Sequence, residues 1–344
     1  MKPAADTSQS SRHTGADRHM RALCFDGSTT KLQRTHPRPE PERDEALLRT
    51  LKAAISSLDL ELCRGLFGFQ GTLGHCFVGR VESINGEQRP ELLGKRVVGA
   101  LDAVCGRCDM CLAGLSNHCR NRTVLGMQGR DGCLADWLTL PAANLVIVPD
   151  SVDDDHAVFA APLAAAIQSA RQLTIEGKPY ITVLGDGPLG LLVVQVMAKL
   201  NASVRLIGRY SEKLALCEKW GVKHRHVDDI GRRADQDIVV DCTGSPDGLE
   251  LAMRLVRPRG TIVLKTMTAA ADTPAPAIDL APIVMKEISV LGSRSGPVAE
   301  AVSMLARGEI DVVSLISRRM TLNDGPAVLQ KAGRPGVITV LVEI

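Results

Sequence analysis

The sequence predicts an α/β protein in two parts: a β-rich unit followed by an open, doubly wound parallel sheet. Two observations carry this. Up to about residue 160, short apolar runs ("RALCFD", "ALLRTLKAAI", "CFVGRVESI", "KRVVGAL", "ADWLTLP", "NLVIVPD") are separated by Gly, Pro and charge, the pattern of short strands and turns. From about residue 163 the period changes, and helical segments alternate with strands. "LAAAIQSARQL", "LGLLVVQVMAKL", "SEKLALCEKWG" and "GLELAMRLVRPRG" read as helices. "YITVLGD", "SVRLIGR", "DIVVDCTG" and "TIVLKTM" read as strands. Strand–helix–strand alternation implies a parallel sheet with helices on its faces.

The bulk composition suits such a protein and excludes others. The chain has 344 residues, enough for two domains, with 45% hydrophobic and 23% charged residues. A net charge of +2 and only 3% aromatics give no electrostatic or stacking basis for nucleic-acid binding. No apolar run reaches about 18 residues, so no membrane span is expected. The polar start, "MKPAADTSQSSRHTGADRH", has no apolar run and reads as a disordered tail over residues 1–19, with Met20 a candidate start. A Pro/Ala-rich loop, "TAAADTPAPAID", is expected over 268–279.

Four of the ten cysteines fall within fifteen residues, which favours metal binding and a reducing, cytoplasmic compartment over disulfides. In "CGRCDMCLAGLSNHC", Cys105, Cys108, Cys111 and Cys119 are spaced to close a tetrahedral site around zinc. Such a site has no open position, so it is structural. An iron–sulfur cluster is the rival, but no Pro follows Cys119 and no second set exists.

"YITVLGDGPLGLLVVQVM" places Gly185, Gly187 and Gly190 between a strand and a helix, the dinucleotide-binding pattern. Gly185 allows the turn, Gly187 lets a pyrophosphate approach, and Gly190 lets helix and sheet pack closely. The next strand ends in Gly208, Arg209 and Tyr210, where an acidic residue would bind the ribose of NAD. Arg209, with Lys213 a turn further on, points to NADP in preference to NAD. The bland alternative is that Arg209 is solvated surface.

Together, "GHCFVGRV", "GKRVVG", the cysteine cluster, "RTVLGMQGRDGCLADWLTLP", "VLGDGPLGLL" and "GLELAMRLVRPRGTIVLK" resemble the zinc-containing alcohol dehydrogenases of the medium-chain dehydrogenase/reductase superfamily. The resemblance runs from about Met20 to the C-terminus, and is greater to a less-studied bacterial branch than to the liver-type enzymes. It implies a GroES-like catalytic domain over 20–162, a Rossmann domain over 163–292, and a return of 293–344 to the catalytic domain. It further implies hydride transfer between NADP(H) or NAD(H) and a small alcohol, carbonyl or enone, in a homodimer or homotetramer.

The resemblance also exposes a departure. The family's catalytic zinc takes a Cys from "G-I-C-x-T-D", a His from "G-H-E" and a Cys or Glu just before "P-L-A". These positions fall here on Ser56, His75 and Ala161. The relay threonine is Leu58, the glutamate after the histidine is Cys76, and Asp59 is kept. A hydroxyl that stays protonated binds zinc poorly, and alanine cannot bind it. His75 and Cys76, with a donor such as Asp59, could form at most a weak second metal site. Otherwise His75 is a pocket residue paired with Asp59, and Cys76 a small buried apolar group. The reading is an NADP(H)-preferring oxidoreductase with structural zinc and an altered or absent catalytic zinc, with His75, Ser56 and Asp59 as candidate catalytic residues. The alternative is an inactive NADP(H)-binding pseudoenzyme.

Overall fold

The computed structural model describes residues 18–231, 233–267 and 278–344. The expected tail therefore lies outside it except for Arg18 and His19. These are ordered: the Arg18 carbonyl accepts from Arg38 N–H, and the first strand is His19–Phe25. Most of the expected 268–279 loop also lies outside the described residues.

The N-terminal part is built from antiparallel strands, as its turn-punctuated sequence requires. His19–Phe25 pairs with Thr30–Pro37 and Gly71–Thr72. A larger sheet is organised around the eleven-residue strand Glu45–Ile55, which pairs with Cys76–Asn85, Trp137–Pro141 and Thr339–Glu343. Ile316–Thr321 joins parallel to Thr339–Glu343, so the chain's end closes the sheet begun near its start. The register that sets Ala54 opposite Cys76 brings the segments just beyond those strand ends, Ser56 and His75, side by side.

The second sheet has six strands, every pair parallel: Tyr180–Leu184, Ser203–Gly208, Lys223–His226, Gln236–Asp241, Val256–Leu264 and Ser289–Gly292. Its spatial order is 3-2-1-4-5-6 counting along the chain, reversing beside Tyr180–Leu184. That reversal opens a crevice at the carboxyl ends of the strands, where ligands of such sheets bind. The inner strands Tyr180–Leu184 and Gln236–Asp241 are largely buried, mostly apolar runs because both faces are covered, whereas the edge strands Lys223–His226 and Ser289–Gly292 are not. Ile181, Val183, Leu206, Ile238, Val240 and Val263 share one core with Leu191, Val193 and Val194 of helix Pro188–Met197.

Two boundaries differ from expectation. The helix read as starting near 163 is Ala160–Arg171, running through the expected 162/163 border. The segment read as one helix over 248–260 splits into helix Pro246–Leu255 and strand Val256–Leu264. Ser245 caps the helix through Gly248 N–H and Pro246 takes its first turn. Pro258 cannot continue a helix and disfavours helical geometry before it, so the chain extends. No helix among the described residues is long and apolar enough to cross a membrane.

Candidate functional site

Gly74 fixes the entry to the first constellation. Its φ is +95°, and a Cβ there would sit 2.7 Å from Leu134 and 2.9 Å from Cys133 Sγ, so only glycine lets the chain turn into His75. Ser56 caps helix Ser57–Cys63: its Oγ accepts from Leu58 N–H (3.1 Å) and its N–H donates to Asp59 Oδ2 (2.8 Å). This capping box points the Asp59 carboxylate inward. Asp59 is fully buried and His75 is 6% exposed. Ser56 Oγ lies 3.0 Å from Asp59 Oδ2 and 3.2 Å from His75 Nε2. His75 Nδ1 and Asp59 Oδ1 face each other at 3.3 Å, and neither has a hydrogen-bond partner besides this ion-pair contact.

Burial alone would push the His75 imidazolium down, but neighbouring Cys76 and the Asp59 carboxylate outweigh it, holding its pKa well above the usual histidine value. Burial likewise opposes the Asp59 carboxylate, yet His75 and the Ser56 donors bring its pKa below the ordinary value. The trio is thus a buried ion pair with a half-buried hydroxyl at its edge. It has the outline of a Ser–His–Asp array, but a histidine that keeps its proton is an acid, not a base.

The donors do not fit a catalytic zinc. Position 56 offers a hydroxyl committed to a helix cap and to Asp59, and position 161 offers a methyl, which leaves His75 as the one standard ligand of the three. Among the described residues, the only group of three or more His, Cys, Asp or Glu donors that converge is the cysteine cluster. The expected weak second site at His75, Cys76 and Asp59 is not such a group: Asp59 directs its carboxylate to His75 and Ser56.

The cysteine cluster does fit. The Sγ atoms of Cys105, Cys108, Cys111 and Cys119 all lie within 4.8 Å of one another, with contacts of 3.5, 3.6 and 3.8 Å. A tetrahedron with Zn–S near 2.3 Å has edges of about 3.8 Å. Backbone N–H groups of Arg107 and Cys108 lower Cys105 to about 6, and those of Arg120 and Cys111 lower Cys108. Burial and the Cys108 thiol push Cys111 up to about 12, since four thiolates cannot coexist without a cation.

At the second sheet, Gly185 has φ +101° and a Cβ on Gly190 would lie 1.9 Å from the Gly185 carbonyl, so the turn admits no side chain at either place. Gly187 is the N-cap of helix Pro188–Met197 and leaves its N-terminus open. Arg209 is exposed at the end of Ser203–Gly208. Lys213, by contrast, turns inward: it is 6% exposed, with Nζ 4.5 Å from the Tyr210 ring centre. Burial lowers its pKa, with Asp186 and Glu212 opposing.

Sequence reasoning missed Asp186. Its Oδ2 accepts from the backbone N–H groups of Arg209 (2.8 Å) and Tyr210 (2.7 Å). A Cβ on Gly208 would meet this carboxylate at 2.6 Å, which explains the glycine. The signal was an acid inside the glycine motif, where a small neutral residue packs more cheaply.

Comparison with known proteins agrees with this construction. Residues 42–150 match the alcohol dehydrogenase GroES-like domain, and residues 188–307 match the zinc-binding dehydrogenase domain. A zinc-binding dehydrogenase from Sinorhizobium meliloti, solved with NADP bound, superposes with a TM-score of 0.82 at 28% identity, covering 94% of this chain and 99% of its own. D-arabitol-phosphate dehydrogenase of Enterococcus avium is 25% identical, covering 89% of this chain and 91% of its own length. L-threonine 3-dehydrogenase of Salmonella arizonae is 26% identical over 84% and 89%. With both domains matched in order and the glycine turn and cysteine cluster in place, the chain belongs to the zinc-containing alcohol dehydrogenase family of medium-chain dehydrogenases/reductases.

Proposed function

We propose that the protein is an NADP(H)-preferring reductase of an activated small-molecule carbonyl or enone, with a structural zinc and no catalytic one. The observation that carries this is the Asp59–His75 ion pair with Ser56 at its edge, standing where the family's zinc ligands would be. A zinc site can take bound water from a pKa of 15.7 to about 7. A comparable shift on an alcohol is worth about 12 kcal/mol at about 1.36 kcal/mol per unit. Nothing in Ser56, His75 and Asp59 replaces that, so oxidation of a simple alcohol is disfavoured. Reduction asks less: the nicotinamide supplies the hydride, and the protein needs only to place donors on the oxygen that gains charge. His75, whose pKa is held above the usual histidine value, is the proton-bearing group; Ser56 Oγ accepts from its Nε2 and donates to Asp59 Oδ2, and Asp59 stabilises the imidazolium.

The test is oxidation of NADPH by chelator-washed protein with a panel of activated carbonyls and enones. Turnover supports the reading. Tight NADPH binding with no turnover across the panel would point instead to a nucleotide-binding pseudoenzyme.

Cofactor preference rests on Arg209. Because Asp186 already takes the Arg209 and Tyr210 N–H groups, a 2′-phosphate has the guanidinium as its principal donor. Arg209→Ala should weaken NADPH by about tenfold or more, the scale of a lost charge-assisted pair, and leave NADH nearly unchanged. Fluorescence titration of both cofactors decides it, and equal losses would make Arg209 mere surface.

The cysteine cluster is read as one structural zinc. Cys108→Ser should lose the metal and lower the thermal midpoint, because metal binding at such a site is part of the folding free energy. Zinc retained at one equivalent, with an unchanged midpoint, would overturn this. The exposed Val284, Met285 and Val290 lie on and beside the sheet's edge strand Ser289–Gly292, which supports self-association into a homo-oligomer.

A further inference from the structure

We propose that Lys265 is the cation of the nicotinamide half of the crevice, and that it biases the site toward the reduced dinucleotide. The proposal rests on the reading that the glycine turn binds NADP(H).

The strand order divides the parallel sheet into two mononucleotide halves. The glycine turn and Arg209 belong to the first half, which takes the adenosine end. The second half is Gln236–Asp241, Val256–Leu264 and Ser289–Gly292, which leaves it the nicotinamide end. Lys265 is the first residue beyond Val256–Leu264, at the carboxyl edge of that half. Its N–H donates to the Asp241 carbonyl, while Ser293 N–H donates to the Leu264 carbonyl, so neighbouring strands pin it in register.

Its side chain is 8% exposed. Nζ donates to Ser293 Oγ (3.0 Å) and to the Arg294 carbonyl, leaving one of three protons uncommitted. Among the described residues no carboxylate pairs with it. The carboxylate of Asp241, on the adjacent strand, is engaged by Thr243 N–H and Oγ1, and the guanidinium of Arg294 turns to Asp102. Burial lowers the ammonium to about 8, with Cys242 opposing, so it is still mostly protonated at neutral pH.

The surroundings hold this cation in place. Asp102 is 3% exposed and binds both Arg294 and Ser295. Asn117 of the cysteine lobe donates to the Ser295 carbonyl (2.9 Å) and accepts from Arg294 through its own (3.2 Å). A Cβ on Gly296 would sit 2.0 Å from the Ala164 carbonyl, so the same loop presses on the helix that carries Ala161. A buried ammonium without a carboxylate is costly, and an electron-rich ligand in the crevice would offset part of that cost. Oxidised nicotinamide carries a positive charge and the reduced ring carries none. A fixed cation beside the ring repels only the oxidised form, and that difference in affinity is what shifts the redox balance. The same charge favours an oxygen that becomes negative on the substrate.

The experiment measures dissociation constants for NADPH and NADP⁺ in wild type and Lys265→Met, with 2′,5′-ADP as a probe of the adenosine half. Removing the charge should lower the preference for the reduced form by about tenfold or more, the scale of one unit repulsion at short range in a partly solvated site. Binding of 2′,5′-ADP should be unchanged, and Lys265→Arg should keep the wild-type ratio. Lys265→Gln serves as a second neutral variant if methionine disturbs the loop. An unchanged ratio in a neutral variant that still binds 2′,5′-ADP would overturn the role of Lys265. Wild type that binds neither dinucleotide would instead overturn the cofactor reading, and this proposal with it.

Discussion

His75→Ala is expected to lower kcat for an activated carbonyl by about 100-fold or more, the scale of a lost general acid. The same change should destabilise the fold, because Asp59 is left fully buried without its partner. Breaking a buried ion pair from one side costs about 3–5 kcal/mol. Asp59→Asn separates the two effects: it keeps the imidazole and removes the charge that holds its proton, so the fall of activity with rising pH should move to lower pH.

The pH dependence of stability has a definite sign. His75 is raised in the folded state, so its contribution is complete below about 6.5 and is lost as pH rises through the folded value. Asp59 is lowered, so its contribution is present above about 3.9 and is lost as pH falls through its folded value. Unfolding across pH should show the pair strongest in the mildly acidic range between. An active enzyme indifferent to His75→Ala would remove His75 from the mechanism.

The second large effect is a gain. Ser56→Cys with Ala161→Glu restores the two lost ligand types around His75. The double variant should bind a second zinc and oxidise simple alcohols faster than wild type does. The gain will be partial, because Leu58 stands at the relay threonine position and supplies no hydroxyl. The new thiolate must also displace a capping box, so some stability should be lost, about 1 kcal/mol for a missing cap. Zinc content by elemental analysis checks the metal, and ethanol-type oxidation checks the chemistry. A second zinc without any alcohol oxidation would mean that ligand loss is not what separates this chain from its relatives.

How much of this was legible in the sequence depended on range. The cysteine cluster and the glycine turn are local: fifteen and six residues suffice, and the backbone they need follows from their own Gly positions. Alternating strand and helix periods gave the parallel sheet for the same reason. Ser56, His75 and Asp59 could be named from motifs, but their grouping needed the register of Glu45–Ile55 against Cys76–Asn85. The Asp59 side of the pair is a capping box, itself a local signal that the ligand motif obscured.

The rest depended on distant partners. Lys265 reads in sequence as an ordinary charge ending an apolar strand, and only Ser293 and Arg294 make it a buried donor. Asp186 finds its partners more than twenty residues on, at a strand end that the sequence placed but could not orient. Lys213 turns inward onto Tyr210 from helix Ser211–Lys219, a rotation the spacing alone does not fix. The early end of helix Pro246–Leu255 was readable from Pro258, and the apolar period beyond it masked the break.

Reduction without a metal at the reacting centre is what we propose sets this chain apart within a zinc enzyme family. It is tested most directly by measuring zinc per chain and NADPH-dependent carbonyl reduction on the same chelator-washed sample. The account predicts one zinc per chain, held by the four cysteines, with reductase activity undiminished by the wash. Two zincs per chain, or activity that disappears on washing and returns with added zinc while the cysteine lobe stays loaded, would contradict it.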